Sequence, residues 1–261
     1  MKIKQSLTIV KIGGNIIDDA QALTSFLMAY SNIYGPKILV HGGGKSATKT
    51  AEQFNLKPEF VDGRRITDAP MLDVAVMVYA GLINKQIVAQ LQALGTTAMG
   101  FTGADGNLIQ SEKRQHNTID FGYVGDVVTV QTSLLEKLLA TDISLVFCAI
   151  THDNKGQLLN TNADTIASEL AIALSDEYDV NLMYCFEKKG VLLDLNDENS
   201  VVKQMTFDYY NELKTAQVIH SGMLPKLDNC FYALSNGVQK ISIGDQSQIE
   251  NTTAQYTTIS L

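Results

Sequence analysis

The chain has 261 residues, of which 45% are hydrophobic and 18% are charged, and its formal net charge is −8. This composition is sufficient for a large buried core, and the length permits one large domain or two moderate ones. The acidic balance argues against binding to nucleic acid or to an anionic membrane, because both need a broad basic face.

Short β-rich runs alternate with longer helical patterns along the chain. SLTIVKI precedes QALTSFLMAYSNI, KILVH precedes KSATKTAEQF, and SLVFCAI, NADTIASELAIAL, NLMYCF and VQKISI follow later. Strands that alternate with helices imply parallel βαβ crossovers and a sheet covered on both faces. We therefore predict an α/β fold, a three-layer α/β/α sandwich around a mainly parallel sheet.

The longest helical pattern runs from about residue 70 to residue 94. Thr67 or Asp68 is its predicted N-terminal cap, Pro70 stands in its first turn, and Gly95 ends it. Its dense apolar residues, Met71, Met77 and Tyr79 among them, are predicted to pack in the core.

Two later segments depart from the alternating pattern. Residues 103 to 130 are polar and punctuated by glycine, which predicts hairpins outside the main sheet, in the position of a lid over a site. SDEYD at 175 to 179 is the one composition shift that resembles a boundary. It predicts a single domain over 1–261 with two lobes, about 1–176 and about 177–261.

Two glycine-rich turns follow the first two predicted strands. KIGGN begins at Lys11, directly after LTIV, and HGGGKS begins at His41, directly after KILV. Parallel strands present their carboxyl ends at one edge of a sheet, so both turns are expected to reach the same crevice. Backbone N–H groups of glycine turns and of the following helices can surround an anion there. The pattern therefore predicts a phosphate site.

Other glycine-loop chemistries fit this sequence less well. A Walker loop needs a glycine five residues before Gly44, where the chain has Leu39. The Rossmann pattern G-x-G-x-x-A is matched by Gly42, Gly44 and Ala47, with Asp62 as a ribose-binding acid, so a nucleotide-dependent dehydrogenase stays an alternative. An esterase oxyanion loop would require G-x-S-x-G, which the sequence lacks. The histidines show no metal-ligand spacing, so no protein-held metal is predicted.

The motifs KIGGN (11–15), HGGGKS (41–46), DGRRIT (62–67), LLNTNADTIA (158–167) and HSGMLPK (220–226) occur in the order and spacing of one family. The chain resembles the acetylglutamate kinases, which have the amino-acid kinase fold, over nearly its whole length. The resemblance implies transfer of the γ-phosphoryl group of MgATP to the side-chain carboxylate of an N-acylated glutamate, in arginine biosynthesis. It also implies that the N-lobe binds the acylglutamate and dimerises, and that the C-lobe binds ATP.

The resemblance also assigns roles at the positions that match the motifs. Lys11 and Lys226 would flank the transferring phosphoryl group, and Asp164 would hold both lysines in place. An acid at the start of the helix TIASELAIAL could equally cap that helix, and the two roles are compatible. Substrate contacts are implied for Gly43, Gly44, Arg65, Asn160 and Asn162, and nucleotide phosphate contacts for Gly13, Gly14 and Gly222.

Three features depart from the family pattern or stay open. Phe186 and Glu187 stand in CFEKKGVL, where relatives carry a small hydroxyl and Asp or Asn, so contacts to adenine and ribose are unassigned. Arg64 replaces an apolar residue and is predicted to be a surface or interface charge. The acyl group could be acetyl or succinyl, and a non-catalytic sensor of an acylated amino acid is a further alternative.

Assembly is predicted from the same resemblance, and location is predicted from the cysteines and the absence of targeting segments. The chain begins almost directly at its first strand, without the N-terminal helix that links arginine-inhibited relatives into hexamers, so we expect a homodimer insensitive to arginine. Cys148, Cys185 and Cys230 form no CxxC pair and lie among apolar residues, as is typical of buried free thiols in a reducing cytosol. No signal peptide or membrane span is predicted, so the expected location is cytoplasmic.

Overall fold

The structure is a computed structural model that describes residues 4–61, 64–219, 222–250 and 254–261. Its strands are β1 (Gln5–Ile12), β2 (Lys37–His41), β3 (Phe60–Val61), β4 (Arg64–Arg65), β5 (Ala98–Phe101), β6 (Ile109–Lys113), β7 (Val124–Val130), β8 (Ser144–Cys148), β9 (Ile150–His152), β10 (Leu158–Thr161), β11 (Tyr178–Cys185), β12 (Gln204–Thr206), β13 (Lys240–Gly244) and β14 (Thr257–Ser260). Its helices are α1 (Gly14–Asp18), α2 (Ala20–Ser31), α3 (Gly44–Gln53), α4 (Ala69–Val76), α5 (Asn84–Ala93), α6 (Thr132–Leu139), α7 (Ala163–Leu174), α8 (Phe207–Thr215), α9 (Leu224–Ser235) and α10 (Ser247–Glu250).

The main sheet has eight strands in the order β12-β14-β13-β11-β1-β2-β8-β5. Every neighbouring pair is parallel except β13 with β14. Strands that precede residue 176 occupy one side of the sheet, and strands that follow it occupy the other. The joint between the two sides is the ladder between β1 and β11, which pairs Gln5 to Ile12 with Tyr178 to Cys185.

Helices form two layers beside this sheet. In one layer α7 packs on β1, β2 and β11 and contacts α9, and α9 also packs on β13 and β14. In the other layer α5 packs on β5 and β8, and α2 contacts both α5 and α10. Strands buried on both faces, such as KILVH in β2 with five buried residues out of five, are what a covered parallel sheet requires. The predicted three-layer α/β/α fold is confirmed.

Helix α2 shows how local side chains fix an element of this layer. Asp19 accepts hydrogen bonds from the N–H groups of Gln21 and Ala22 at its start. At its end the Lys37 ammonium donates to the carbonyl of Ser31 at 2.8 Å, and also to those of Tyr30 and Ile33. A buried lysine thus donates to carbonyls at the end of α2 and just beyond it, where a cation is favoured.

The long predicted helix is present but is not uniform. Asp68, rather than Thr67, is its cap and accepts from the N–H of Met71 at 2.9 Å. Gly95 follows the end with φ +79°. Residues 77 to 83 form a π-helical turn between α4 and α5, in which the Asn84 N–H donates to the carbonyl of Tyr79. The 3.6-residue pattern did not predict this turn, which places one extra residue in the helical repeat. Met71 is buried as predicted, but Met77 is 50% exposed, so its predicted core position is wrong.

The segment from Ala69 to Ala93 is also long and apolar enough, by length and composition alone, to cross a membrane. Half of its most apolar window is buried inside the protein. A core helix of a globular protein passes the same test.

A small barrel of four strands lies outside the main sheet, in the order β10-β7-β6-β9. Its antiparallel β6–β7 pair falls within residues 103 to 130, so the prediction of a hairpin outside the main sheet is confirmed. The barrel also includes β10, which leads directly into α7. The three cysteines are buried and free, as predicted.

Candidate active site

Both predicted glycine turns lie at the carboxyl edge of the sheet, after β1 and after β2. At Gly43 the backbone has φ +153°, where glycine is strongly favoured. A Cβ atom there would lie 2.4 Å from Cδ1 of Ile83 and 2.9 Å from Cδ1 of Tyr79. The π-helical turn therefore presses two side chains against this backbone, and only glycine fits. At Gly44, by contrast, an added Cβ would meet nothing within 4 Å.

His41 connects the glycine turn to the long helix through a buried hydrogen-bond chain. Its Nδ1 donates to the Gly42 carbonyl at 2.9 Å, and its Nε2 accepts from the Asn84 amide at 3.1 Å. The same amide donates to the Val146 carbonyl at 3.0 Å. Burial lowers the pKa of His41 to about 4. The ring is therefore neutral at pH 7, as this pattern of one donor and one acceptor requires.

A cavity of about 190 Å³ opens beside the turn after β2. All five residues that the sequence predicts for substrate binding line it: Gly43, Gly44, Arg65, Asn160 and Asn162. They come from α3 and the turn before it, β4, β10 and the start of α7. The fold therefore brings these five positions together from widely separated parts of the chain.

Arg65 forms one wall of this cavity and is only 6% exposed. Its Nη2 donates to the Gly44 carbonyl at 2.8 Å and to Thr48 Oγ1 at 2.9 Å. The guanidinium also stands 4.6 Å from the centroid of the Phe60 ring. These contacts hold a planar cation of the kind that binds carboxylates.

The second cluster is made of charges. Lys11 Nζ lies 2.6 Å from Asp164 Oδ1, and Lys226 Nζ lies 2.6 Å from Asp164 Oδ2. Lys11 is near the end of β1, Asp164 is in the first turn of α7, and Lys226 is in the first turn of α9. The folded chain therefore joins three residues that are separated by up to 215 positions, since 226 − 11 = 215.

Burial and charge act against each other in this cluster. Burial favours protonation of Asp164, but the two ammonium groups outweigh it and hold the pKa of Asp164 well below its ordinary value. Burial lowers the pKa of Lys11, and the charge of Lys226 lowers it further, while Asp164 opposes both. Burial also favours the neutral form of Lys226, but its contact with Asp164 prevails and raises its pKa. The carboxylate of Asp164 is therefore ionised at neutral pH, and it lies between the two lysine amines.

The cap of α7 is Asn162 rather than Asp164. Asn162 Oδ1 accepts from the N–H groups of Asp164 at 2.7 Å and Thr165 at 3.2 Å. Asp164 is therefore not the side-chain cap of α7, although it stands in the first turn, where the helix dipole favours an acid. The amide of Asn160 is also engaged in part, since it donates to Thr67 Oγ1 at 3.0 Å.

The predicted nucleotide-side glycines have different surroundings. The Gly13 N–H already donates to the Cys185 carbonyl at 2.8 Å, and a Cβ at Gly13 would lie 3.3 Å from Cβ of Phe186. Gly14 is the first residue of α1, where helical N–H groups have no intrahelical acceptor. Gly222 lies just before α9. His220, Ser221, Asp62 and Gly63, which belong to two of the sequence motifs, lie outside the described residues.

Comparison with known proteins places this geometry in a family. Residues 6–245 match the amino acid kinase family. The acetylglutamate kinase of Cytophaga hutchinsonii is 52% identical over 240 residues, which cover 92% of this chain and 91% of that protein. The acetylglutamate kinase of Phocaeicola vulgatus is 50% identical over 92% of this chain and 94% of that protein.

The chain belongs to the amino acid kinase family. Solved structures agree on the fold: that of smu.665 from Streptococcus mutans superposes with a TM-score of 0.81 at 24% identity, over 97% of this chain and 98% of that one. Membership in the amino acid kinase family sets aside the dehydrogenase interpretation of the turn after β2.

Among the cavity residues of this amino acid kinase that sequence reasoning did not assign to the site, two had been given other places. Tyr79, predicted to be a core residue, is buried but lines the cavity. Burial raises the pKa of its phenol, and the neighbouring Arg65 opposes this. Arg64, predicted to be a surface or interface charge, also lines the cavity. Its departure from the family pattern was the available signal, whereas nothing in the sequence marks Tyr79.

Proposed function

We propose that this chain transfers the γ-phosphoryl group of MgATP to the side-chain carboxylate of an N-acylated glutamate, with N-acetylglutamate as the first candidate. The products would be an acyl phosphate and ADP, in arginine biosynthesis. The observation that carries the proposal is the Lys11–Asp164–Lys226 cluster beside a cavity that holds Arg65. Relatives that are about half identical and are named acetylglutamate kinase support it.

In the proposed reaction a carboxylate oxygen of the substrate attacks the γ-phosphorus. The bond from that phosphorus to the β–γ bridging oxygen breaks, and its electron pair leaves with ADP. The attacking group is already an anion, so no general base is required. Lys11 and Lys226 would be the catalytic residues that stabilise charge on the transferring group, and Asp164 would be the residue that positions them.

The acylglutamate would occupy the cavity beside the turn after β2. Arg65 would pair with its α-carboxylate, since a guanidinium matches a carboxylate with two parallel hydrogen bonds. Backbone N–H groups of Gly43 and Gly44 and the amides of Asn160 and Asn162 would bind the remaining carboxylate and acylamide groups without adding charge.

The nucleotide would lie on the other side of the charge cluster. Its phosphates would contact the turns at Gly13, Gly14 and Gly222, so that residues 177–261 act as the nucleotide lobe and residues 1–176 as the acylglutamate lobe. Among the described residues, no three His, Cys, Asp or Glu side chains are grouped as a metal site. Mg²⁺ would be held mainly by phosphate oxygens and water, its usual ligands in kinases.

Substrate-dependent release of ADP tests the proposal. Purified protein with MgATP and N-acetylglutamate should form ADP, and hydroxylamine should trap the acyl phosphate as a hydroxamate. Lys11→Ala and Lys226→Ala should each lower kcat by about 10²–10³. Lys137→Ala, an exposed lysine of α6, is the control and should match the wild type. Binding of N-acetylglutamate without ADP release would point to a sensor instead.

Succinyl is the second candidate for the acyl group, and Arg64 is the observation that favours it. Two guanidinium groups line the cavity, and its described lining contains no carboxylate. A succinyl group would bring an additional carboxylate, and an acetyl group would not. The test compares kcat/KM on the two substrates. If Arg64 binds a succinyl carboxylate, Arg64→Leu should lower kcat/KM for N-succinylglutamate by about tenfold. The same variant should leave kcat/KM for N-acetylglutamate unchanged.

We also propose a homodimer in the cytoplasm, without nucleic-acid or membrane partners. In this proposal the interface includes Met77 and Leu82 on the long helix, which are 50% and 51% exposed. Light scattering should give twice the mass of the chain. Replacing both residues with glutamate should yield monomers, and a dimer that persists would place the interface elsewhere.

A further inference from the structure

The lysine of HGGGKS has no role in the reaction described so far. Lys45 is the second residue of α3 and follows Gly44 directly. Its side chain is exposed, and its Nζ donates to Asn15 Oδ1. Asn15 Nδ2 in turn donates to Glu187 Oε1 at 2.6 Å. A neutral amide therefore stands between an ammonium and a carboxylate.

These three residues lie where the proposed phosphate site is expected. Asn15 is in the first turn of α1, which follows β1, and Lys45 is in the first turn of α3, which follows β2. Glu187 follows the end of β11. All three strands are parallel neighbours, so their carboxyl ends meet at one edge of the sheet. The contact therefore places the Lys45 ammonium between the two glycine turns.

The positive charge of the Lys11–Asp164–Lys226 cluster is smaller than the negative charge of a nucleotide triphosphate. Lys11 and Lys226 both contact the single carboxylate of Asp164, which offsets part of the positive charge that these lysines bring to the site. A nucleotide triphosphate carries several negative charges. Lys45 sits on a flexible stem and holds a neutral acceptor, so turning it toward phosphate breaks one exposed hydrogen bond and no direct ion pair.

We propose that Lys45 is a third phosphate-binding lysine, which leaves Asn15 to contact the β- or γ-phosphate of the nucleotide. This inference rests on the proposed function. In the nucleotide-free protein the Asn15 amide and Glu187 hold Lys45 at the mouth of the site. In the complex Lys45 would add positive charge on the side of the phosphates opposite Lys226. Of Lys45, Asn15 and Glu187, Glu187 would be the one acid that faces the phosphates.

The experiment measures ATP and AMP binding together with steady-state kinetics. Lys45→Met should raise the Kd and KM of ATP about tenfold, the lower range for a charge-assisted hydrogen bond at an exposed site. Its Kd for AMP and its KM for the acylglutamate should stay within twofold. Lys45→Arg should restore most ATP affinity. Lys49→Met, an exposed lysine one turn further along α3, is the matched control.

A second pair of variants separates phosphate binding from a purely structural bridge. If Lys45 only fastens the two turns together, Asn15→Ala and Glu187→Gln should weaken ATP as much as Lys45→Met does. If it binds phosphate, these variants should leave ATP affinity unchanged or improve it, because they release the lysine or remove a like charge. Equal losses in all three variants, or no loss in Lys45→Met, would overturn the inference. Wild-type protein that forms no ADP would refute the proposed function instead.

Discussion

Replacing Asp164 with asparagine removes the anion of the charge cluster and leaves the side chain nearly the same size. Lys11 and Lys226, each 2.6 Å from this carboxylate, would then face each other across an uncharged amide. Removing one partner of a buried ion pair costs about 3–5 kcal/mol. Because the Lys226 side chain is 25% exposed, its charge stays partly solvated, so we expect a loss of about 3 kcal/mol, the low end of that range.

The same substitution should separate nucleotide binding from chemistry. The site gains net positive charge, so ATP affinity should be retained or improved, while kcat falls by about 10²–10³ because neither lysine is held in place. Burial and Lys226 already lower the pKa of Lys11, and Asp164 is the group that opposes them. Without Asp164 this pKa falls further, so Lys11 loses its proton at a lower pH. The alkaline limb of the pH–rate profile should therefore move toward neutral pH.

Urea unfolding and initial rates across a pH series measure both effects. Asp228→Asn is the matched control, because Asp228 lies on the same helix as Lys226 and contacts Lys214 at 3.5 Å with 55% of its side chain exposed. Its Oδ1 also accepts a hydrogen bond from the Tyr210 hydroxyl at 2.6 Å, which the amide oxygen of asparagine can accept as well. An exposed pair of this kind contributes about 0–1 kcal/mol, so the control should resemble the wild type. The reasoning is refuted if Asp164→Asn unfolds at the same urea concentration as the wild type and keeps its kcat within twofold.

Three further substitutions test the surroundings of the site. Gly43→Ala places a Cβ within 2.4 Å of Cδ1 of Ile83, so it should lower the free energy of unfolding in urea by about 2–3 kcal/mol. Gly44→Ala should keep the wild-type stability. It should raise the KM of the acylglutamate, because its methyl group would enter the cavity. Burial lowers the pKa of His41 to about 4, below the value of about 6.5 in the unfolded chain. The contribution of His41 to the free energy of unfolding is therefore complete above about pH 6.5 and falls by about 3 kcal/mol as the pH decreases toward 4. His41→Gln should reduce the pH dependence of the urea midpoint in this range. An unchanged pH dependence would contradict the conclusion that His41 is buried in the neutral form. Lys37→Met removes three hydrogen bonds to carbonyls at the end of α2 and just beyond it. It should lower the free energy of unfolding by about 1–3 kcal/mol. An unchanged thermal midpoint would show that water replaces the ammonium.

The sequence was sufficient for the fold class because its signals are local. Alternating apolar runs, the cap at Asp68 and the glycine at Gly95 each act within a few residues, and the structure confirms all of them. The glycine turns after β1 and β2 could also be placed on one edge, because the parallel strands that precede them determine where they lie.

What the sequence could not supply depends on contacts between distant residues. A π-helical turn has nearly the same apolar pattern as an α-helix, so the change in direction that brings Tyr79 to the cavity leaves no mark in the periodicity. The bridge from Lys45 through Asn15 to Glu187 spans three strands, and none of these residues shows its partner locally. The sequence offered Asp164 as a cap of α7, and only the folded structure shows that Asn162 takes this role.

The central ladder gives the charge cluster a mechanical role as well. Lys11 is carried by β1 and Lys226 by a helix that packs on β13 and β14, so a single carboxylate fastens the two sides of the sheet to each other. A bound phosphate that attracts either ammonium competes with Asp164 for that lysine. Binding of phosphate should therefore weaken an ion pair between the two sides of the sheet while it forms a new contact with the ligand. The rigidity of the molecule is then expected to change when the site is occupied.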